Sequence, residues 1–183
     1  MMAESLAGQL LLASPTLLDP NFQRTVVLVG VHNEEGAMGV ILNRPSEVTV
    51  ADAVPQLEGT VGSLEPVYVG GPVQPSSIVF LGEFEDSAPV GLLVLGRIGF
   101  PAPDAGADDL CEATRRGRVF AGYAGWASGQ LEQELAGGDW ISQTALPEDV
   151  FTEDPEELWG SVLTRKGGSY ALLARMPLDP SLN

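Results

Sequence analysis

With one cysteine and one histidine among 183 residues, the chain lacks the side chains that most conventional site chemistry needs. Cys111 alone forms no intrachain disulfide and no cysteine-based zinc site. Within Asp109-Leu110-Cys111-Glu112-Ala113 it reads as a small buried apolar helix residue. Any Ser–His or His–metal mechanism has to pass through His32. Bases are scarce as well: 9 Lys+Arg stand against 25 Asp+Glu, a formal charge of −16 whose field repels phosphate backbones and anionic lipid. Direct nucleic-acid binding and membrane association are therefore not expected. The longest apolar runs, Val26–Val31 and Val90–Leu95, fall well short of the roughly 18 residues of a membrane helix. Met1-Met2-Ala3-Glu4 has no basic region, and Leu10–Ala13 stops at Ser14-Pro15, so nothing addresses the chain for export and a cytoplasmic location is expected. Nucleophile-elbow, Walker, His-Glu-x-x-His and Gly-x-Gly-x-x-Gly patterns are also missing. That lowers the expectation of an enzyme and implies no cofactor.

What is present is an ordinary globular balance, 44% apolar and 19% charged, in a chain long enough for one self-sufficient core. Residues 1–183 are expected to form one domain with a flexible N-terminus over residues 1–7. Leu10–Ala13 is a first strand. Thr25–His32 and Ala37–Leu42 are expected to form a hairpin across Asn33-Glu34-Glu35-Gly36, covered on both faces because both strands are almost wholly apolar. Val48–Val54 is expected as a short helix, 58–66 as loop, and Val67–Val69 and Ile78–Leu81 as short strands separated by Gly70-Gly71-Pro72 and Gln74-Pro75. Val90–Leu95 is a further strand and Phe100–Gly106 a loop. A helix over Ala107–Arg116 is expected to stop at Gly117, then a strand over Val119–Tyr123, a helix over Gln130–Leu135 and a strand over Trp140–Thr144. Asp154, Pro155 and Gly167 bracket a helix at Pro155–Arg165, and Ser169–Met176 suits either helix or strand. Early strands joined by turns with helices arriving later argue for α+β.

The candidate site residues each carry two readings. Arg44, in Asn43-Arg44-Pro45 at a strand end, is a fork for carboxylate or phosphate, or an arginine bridging carbonyls and acids of the sheet. Hairpin register brings Arg24 to the same end as Asn43 and Arg44, and Gly70-Gly71 offers backbone without Cβ that an anion could approach. Asp19 is the internal acid that would pair the two arginines instead. Gly122–Gln130 runs from strand through small residues toward a helix, so Gly125, Ser128 and Gly129 frame either an anion site or a tight corner with Ser128 as cap and Trp126 in the core. His32 with Glu34 and Glu35 is a weak metal pattern; a hairpin tip exposing polar residues to water is the preferred reading, and no metal site is expected. Arg115, Arg116 and Arg118 are read as basic residues at a helix C-terminus rather than a phosphate patch.

In order along the chain, Gly8-Gln9-Leu10-Leu11, Asp19-Pro20-Asn21-Phe22, His32-Asn33-Glu34-Glu35-Gly36-Ala37-Met38-Gly39, Asn43-Arg44-Pro45, Gly70-Gly71-Pro72-Val73 and Gly122-Tyr123-Ala124-Gly125-Trp126 resemble the YqgE/AlgH family. Gly129-Gln130-Leu131-Glu132 and Asp139-Trp140 extend the resemblance from about Gly8 to the end of the chain. It implies an α+β fold on a bifurcated, mostly antiparallel β-sheet curled into a pseudo-barrel with flanking helices. It carries a transcriptional-regulator label with no agreed ligand, reaction or catalytic residue, and a label of that kind on so acidic a chain implies action through a protein partner or a small ligand. Three functions are thus set against one another. The first is a binding or regulatory domain for a protein partner or small anionic ligand. The second is an enzyme on a small anionic compound, with Arg24 or Arg44 holding the anion and His32 as base. Direct nucleic-acid binding is the third.

Overall fold

The computed structural model describes residues 4–85 and 90–176. Strand β1 (Gln9–Ala13) lies between β2 (Val26–Asn33) and the late strand β10 (Trp140–Thr144), antiparallel to both, and β2 turns back as β3 (Gly36–Ile41). The next neighbour of β3 is β9 (Thr114–Ala127), a strand of 14 residues that holds the fold together. Its last part, Ala124–Ala127, pairs with β3. Its earlier part pairs with β6 (Val73–Phe84), while Phe120 and Ala121 also run parallel to β5 (Pro66–Val69). The sheet therefore divides along β9. One branch carries β5 and β4 (Pro45–Thr49), and the other continues through β6 to β8 (Ile98–Pro101) and β7 (Val90–Leu95). It curls into a half-barrel, bringing Val94 of β7 and Phe100 of β8 onto the core formed by β1, β2 and β3.

Period-two alternation explains why Leu10–Ala13 of β1 and Val26–Val29 of β2 are apolar without a break. Leu10, Leu12, Val26 and Leu28 point into the half-barrel, where helix α6 (Pro155–Lys166) contributes Trp159, Val162 and Leu163. Leu11, Ala13, Val27 and Val29 face the other way, onto Trp126, Trp140 and Leu131 of helix α4 (Gln130–Ala136). A strand buried on both faces has no solvent side on which to place polar residues. A third cluster, Val50, Val54, Leu57, Val67, Phe80, Phe84, Leu110 and Val119, lies under short helices: α1 (Val50–Ala53), a 3₁₀ turn (Pro55–Leu57), α2 (Glu58–Val61) and α3 (Ala107–Ala113). Helices α5 (Pro147–Val150) and α7 (Ser169–Leu173) complete the chain.

Several sequence expectations are corrected here. The expected helix at Ala107–Arg116 ends at Ala113, with Cys111 exposed on it and not buried, and Arg115, Arg116 and Arg118 belong to β9, where Glu83↔Arg116 and Leu81↔Arg118 are in register. Gly117 is not a helix stop: a Cβ there would come within 2.7 Å of the Phe80 ring across the strand pair, so the glycine admits that ring. Glycine and arginine together mimic a helix C-terminus, but pairing with β6 outweighs that local signal. The expected corner at Gly125–Gly129 is strand as far as Ala127, where β9 ends. Gln74-Pro75 does not break β6; the register shifts between Val73 and Ile78 instead. Strand β8 occupies part of the expected loop at Phe100–Gly106, and α2 part of that at 58–66, while Val48 and Thr49 close β4 before α1 begins.

Candidate functional site

The sequence-predicted residues gather at the two ends of the β2–β3 hairpin, on opposite sides of its length. At the first end Asn43 works as a clip. Its Oδ1 accepts from the Val26 N–H at 2.9 Å and its Nδ2 donates to the Arg24 carbonyl at 2.9 Å, replacing the ladder bonds that end with β3. Arg24 has a left-handed backbone, φ 56°, unusual for a side chain with a Cβ. Its guanidinium lies over the Trp159 ring at 4.5 Å and donates to the Met176 carbonyl. Arg44 donates to three carbonyls, those of Pro20, Asn21 and Gln23, at 2.8–3.0 Å. Burial pulls its pKa down and Asp19 offsets part of that. Both faces of the guanidinium fork are therefore occupied by backbone, which is the carbonyl-bridging role set beside the anion fork. Gly70 and Gly71 do lie beside this end, with the Gly70 carbonyl accepting from Ile41 N–H. Their missing Cβ atoms admit β9: added side chains would meet Gly122 O at 2.3 Å and the Tyr123 carbonyl carbon at 2.1 Å.

At the second end His32 is buried, 3% exposed at its side chain. Its Nδ1 accepts from the Leu6 N–H at 2.9 Å, which places the ring proton on Nε2, and Nε2 donates to Glu132 Oε1. The histidine bond holds the Glu132 carboxyl below its usual range, with a backbone bond adding to it and burial opposing. Ser5 Oγ donates to the His32 carbonyl. Of the expected flexible N-terminus, residues 1–3 lie outside the described residues. Ser128 does not cap α4: its hydroxyl donates to the Glu34 carbonyl in the hairpin turn, and Gly129, φ 75°, stands at the N-cap position. Gln130 Oε1 accepts from Ala127 N–H, satisfying the backbone where β9 ends. Gly125 sits within β9 opposite Met38. Glu34 and Glu35 are exposed, and among the described residues no three metal-ligating side chains converge. Glu132 is the partner that sequence spacing missed, since a separation of 100 residues leaves no local signal.

Arg115 pairs with Glu85, and Arg116 pairs with Glu83 through two bonds while lying over the Phe151 ring. Arg118 donates to the Thr152 carbonyl and lies over the Tyr68 ring at 4.7 Å. No helix among the described residues is long and apolar enough to cross a membrane. Away from the hairpin, an open groove of about 390 Å³ lies between the α1–3₁₀ segment and α3.

Comparison with known proteins places these observations in a family. Residues 10–171 match the model of a family described as AlgH-like. A UPF0301 protein of Streptomyces coelicolor is 45% identical, covering 98% of this chain and 96% of its own, and one of Streptomyces avermitilis is 44% identical over the same shares. Among solved structures, a crystal structure of a Corynebacterium diphtheriae protein superposes with a TM-score of 0.84 at 30% identity, covering 95% and 94% of the two chains. The solution structure of the AlgH protein from Pseudomonas aeruginosa superposes with 0.73 at 31% identity, covering 97% and 98%.

Proposed function

Because the chain belongs to the AlgH-like family, whose curated relatives carry only a UPF0301 designation, its role is read from its own surface, and we propose a non-catalytic binding domain for a cationic protein partner. The observation that carries this reading is where the bases go. Arg24, Arg44, Arg97, Arg118 and Lys166 donate to carbonyls of the same chain, while Arg115, Arg116 and Arg165 pair with Glu85, Glu83 and Asp149. Of the 9 Lys+Arg only Arg175 is outside that set, against 25 Asp+Glu. Carboxylates such as Glu34, Glu35, Asp104, Glu148, Glu153, Glu156 and Glu157 are exposed. The outward field is therefore negative, which steers a cationic surface and repels phosphates.

The hairpin ends support the same choice. Arg44 spends its donors on three carbonyls, which weakens the anion-binding reading, and both nitrogens of His32 are engaged, which weakens the enzyme reading. In this account a regulatory role runs through a protein contact and not through base readout. Anisotropy titration at about 50 mM salt with a labelled Lys-rich peptide and with a labelled DNA duplex tests it. The peptide is expected to bind, with affinity falling steeply as salt is raised, and the duplex to stay free. Duplex binding, or no binding of the peptide, overturns the proposal.

A further inference from the structure

We propose that the groove between the α1–3₁₀ segment and α3 is where a partner docks, and that it receives a hydrophobic segment flanked by lysine or arginine. The inference rests on the cationic-partner reading and gives it a location. Apart from Gln56 the groove is lined by apolar side chains. Val54 and Leu57 form one wall and Leu110 the other, all three buried, while Ile78 of β6 stands 45% exposed between them. Ala53, Ala105 and Ala107 also line it, small side chains that leave a gap of about 390 Å³, within the roughly 300–1,000 Å³ of ligand-sized pockets.

The rim chooses the occupant. Between Pro45 and Ala113 the chain carries a single base, Arg97, and its guanidinium donates to the Phe84 and Glu85 carbonyls. The lining residues are interleaved with carboxylates instead: Asp52 precedes Ala53, Glu58 follows Leu57, Asp104 precedes Ala105 and Asp108 follows Ala107, all four acids exposed. An apolar floor inside a negative rim excludes acidic and phosphate-bearing ligands. It matches the two faces of a basic amphipathic segment, with aliphatic anchors at helix spacing entering the groove and cations meeting the rim.

The test uses a labelled peptide of about 16 residues with Leu on one helical face and Lys on the other, beside one in which Gln replaces Lys and one in which Gln replaces Leu. Two variants probe the floor, Ala53→Trp to fill it and Ile78→Ser to remove its exposed wall, and Asp52→Asn with Asp108→Asn discharges the rim; melting curves check that each stays folded. The amphipathic peptide is expected to bind the parent best. Either floor variant should weaken it about tenfold, and the rim variant should flatten its salt dependence. Unchanged affinity in both floor variants overturns the groove, and if the peptide lacking Leu still binds, the cationic-partner reading survives it. Failure of every Lys-bearing peptide to bind the parent overturns both. Equal binding of the uncharged Leu peptide reassigns the groove to an apolar ligand. A parent dimer that Ala53→Trp dissociates in sedimentation reassigns it to a second copy; either result overturns the proposal.

Discussion

At the Arg44 end of the β2–β3 hairpin the guanidinium is a donor set against bare backbone carbonyls, while at the His32 end an imidazole accepts from the N-terminal segment and bonds a carboxylate on α4. The first arrangement has no group that titrates near neutrality, because a guanidinium keeps its charge. Its strength comes from leaving no carbonyl of residues 20, 21 and 23 without a donor. The second depends on protonation, since the Glu132 carboxylate must be charged to hold the bond at full strength. Two ends of one hairpin thus differ in how they respond to acid. The difference shows that a cluster of polar residues at a strand end is first a solution to unsatisfied backbone, before it is a binding site.

Measurements can break or sharpen that contrast. The largest effect is expected from Trp126→Ala at the His32 end, where the indole is 6% exposed and packs edge-on against Trp140 at 5.9 Å. Truncating a buried Trp costs about 3–5 kcal/mol, a large part of a typical stability of about 5–15 kcal/mol. Urea unfolding checks this, and a midpoint close to the parent's would place the ring outside the core. Next comes Arg44→Ala, expected to cost about 2 kcal/mol by leaving three carbonyls without their donor. Arg44→Lys should restore only part of that, because an ammonium cannot span the three positions. In the same melting assay phosphate and carboxylates should leave the parent unmoved. A parent stabilised by phosphate in an Arg44-dependent way would return this end to the anion-site reading.

Glu132→Gln should cost less than Arg44→Ala at neutral pH, because the amide still accepts from Nε2, and its signature is the pH profile. The Glu132 carboxyl is held below its ordinary range, so its contribution is present above the unfolded carboxylate pKa and is lost as pH falls through the depressed folded value. Melting temperature against pH should therefore fall less steeply on the acid side in the variant than in the parent. Matching acid slopes would remove the proposed difference between the two ends. The smallest effect belongs to Ser128→Ala, which removes one exposed bond to the Glu34 carbonyl and should cost about 0.5 kcal/mol. A larger loss in denaturant midpoint would show that this bond, and not packing, fixes the hairpin turn.

The sequence made legible whatever is encoded in local period and short connections. The apolar run opening at Val26 announced a strand covered on both faces as far as Gly30, the hairpin turn set its register up to the irregularity between Val29 and Val31, and Pro155 and Gly167 bracketed α6. Register alone was enough to place Arg24 beside Asn43, and the balance of 9 Lys+Arg against 25 Asp+Glu set the sign of the surface field. Tertiary structure decided the rest, because those outcomes depend on partners far away along the chain. Pairing with β6 turned Thr114–Gly117 from an expected helix end into strand, and pairing with β3 carried β9 past Gly125 to Ala127. The hydrogen-bond partners of the His32 ring, Leu6 and Glu132, lie 26 and 100 residues away. Backbone carbonyls bear no letter in the sequence, so only folding could show that Arg44 spends its charge on them. The groove likewise needed three distant segments, α1, β6 and α3, to be set against one another with small residues at the gap. Local propensity determines which stretches can be strands; the competition among distant strands for one another's hydrogen bonds determines where they end and what they leave exposed.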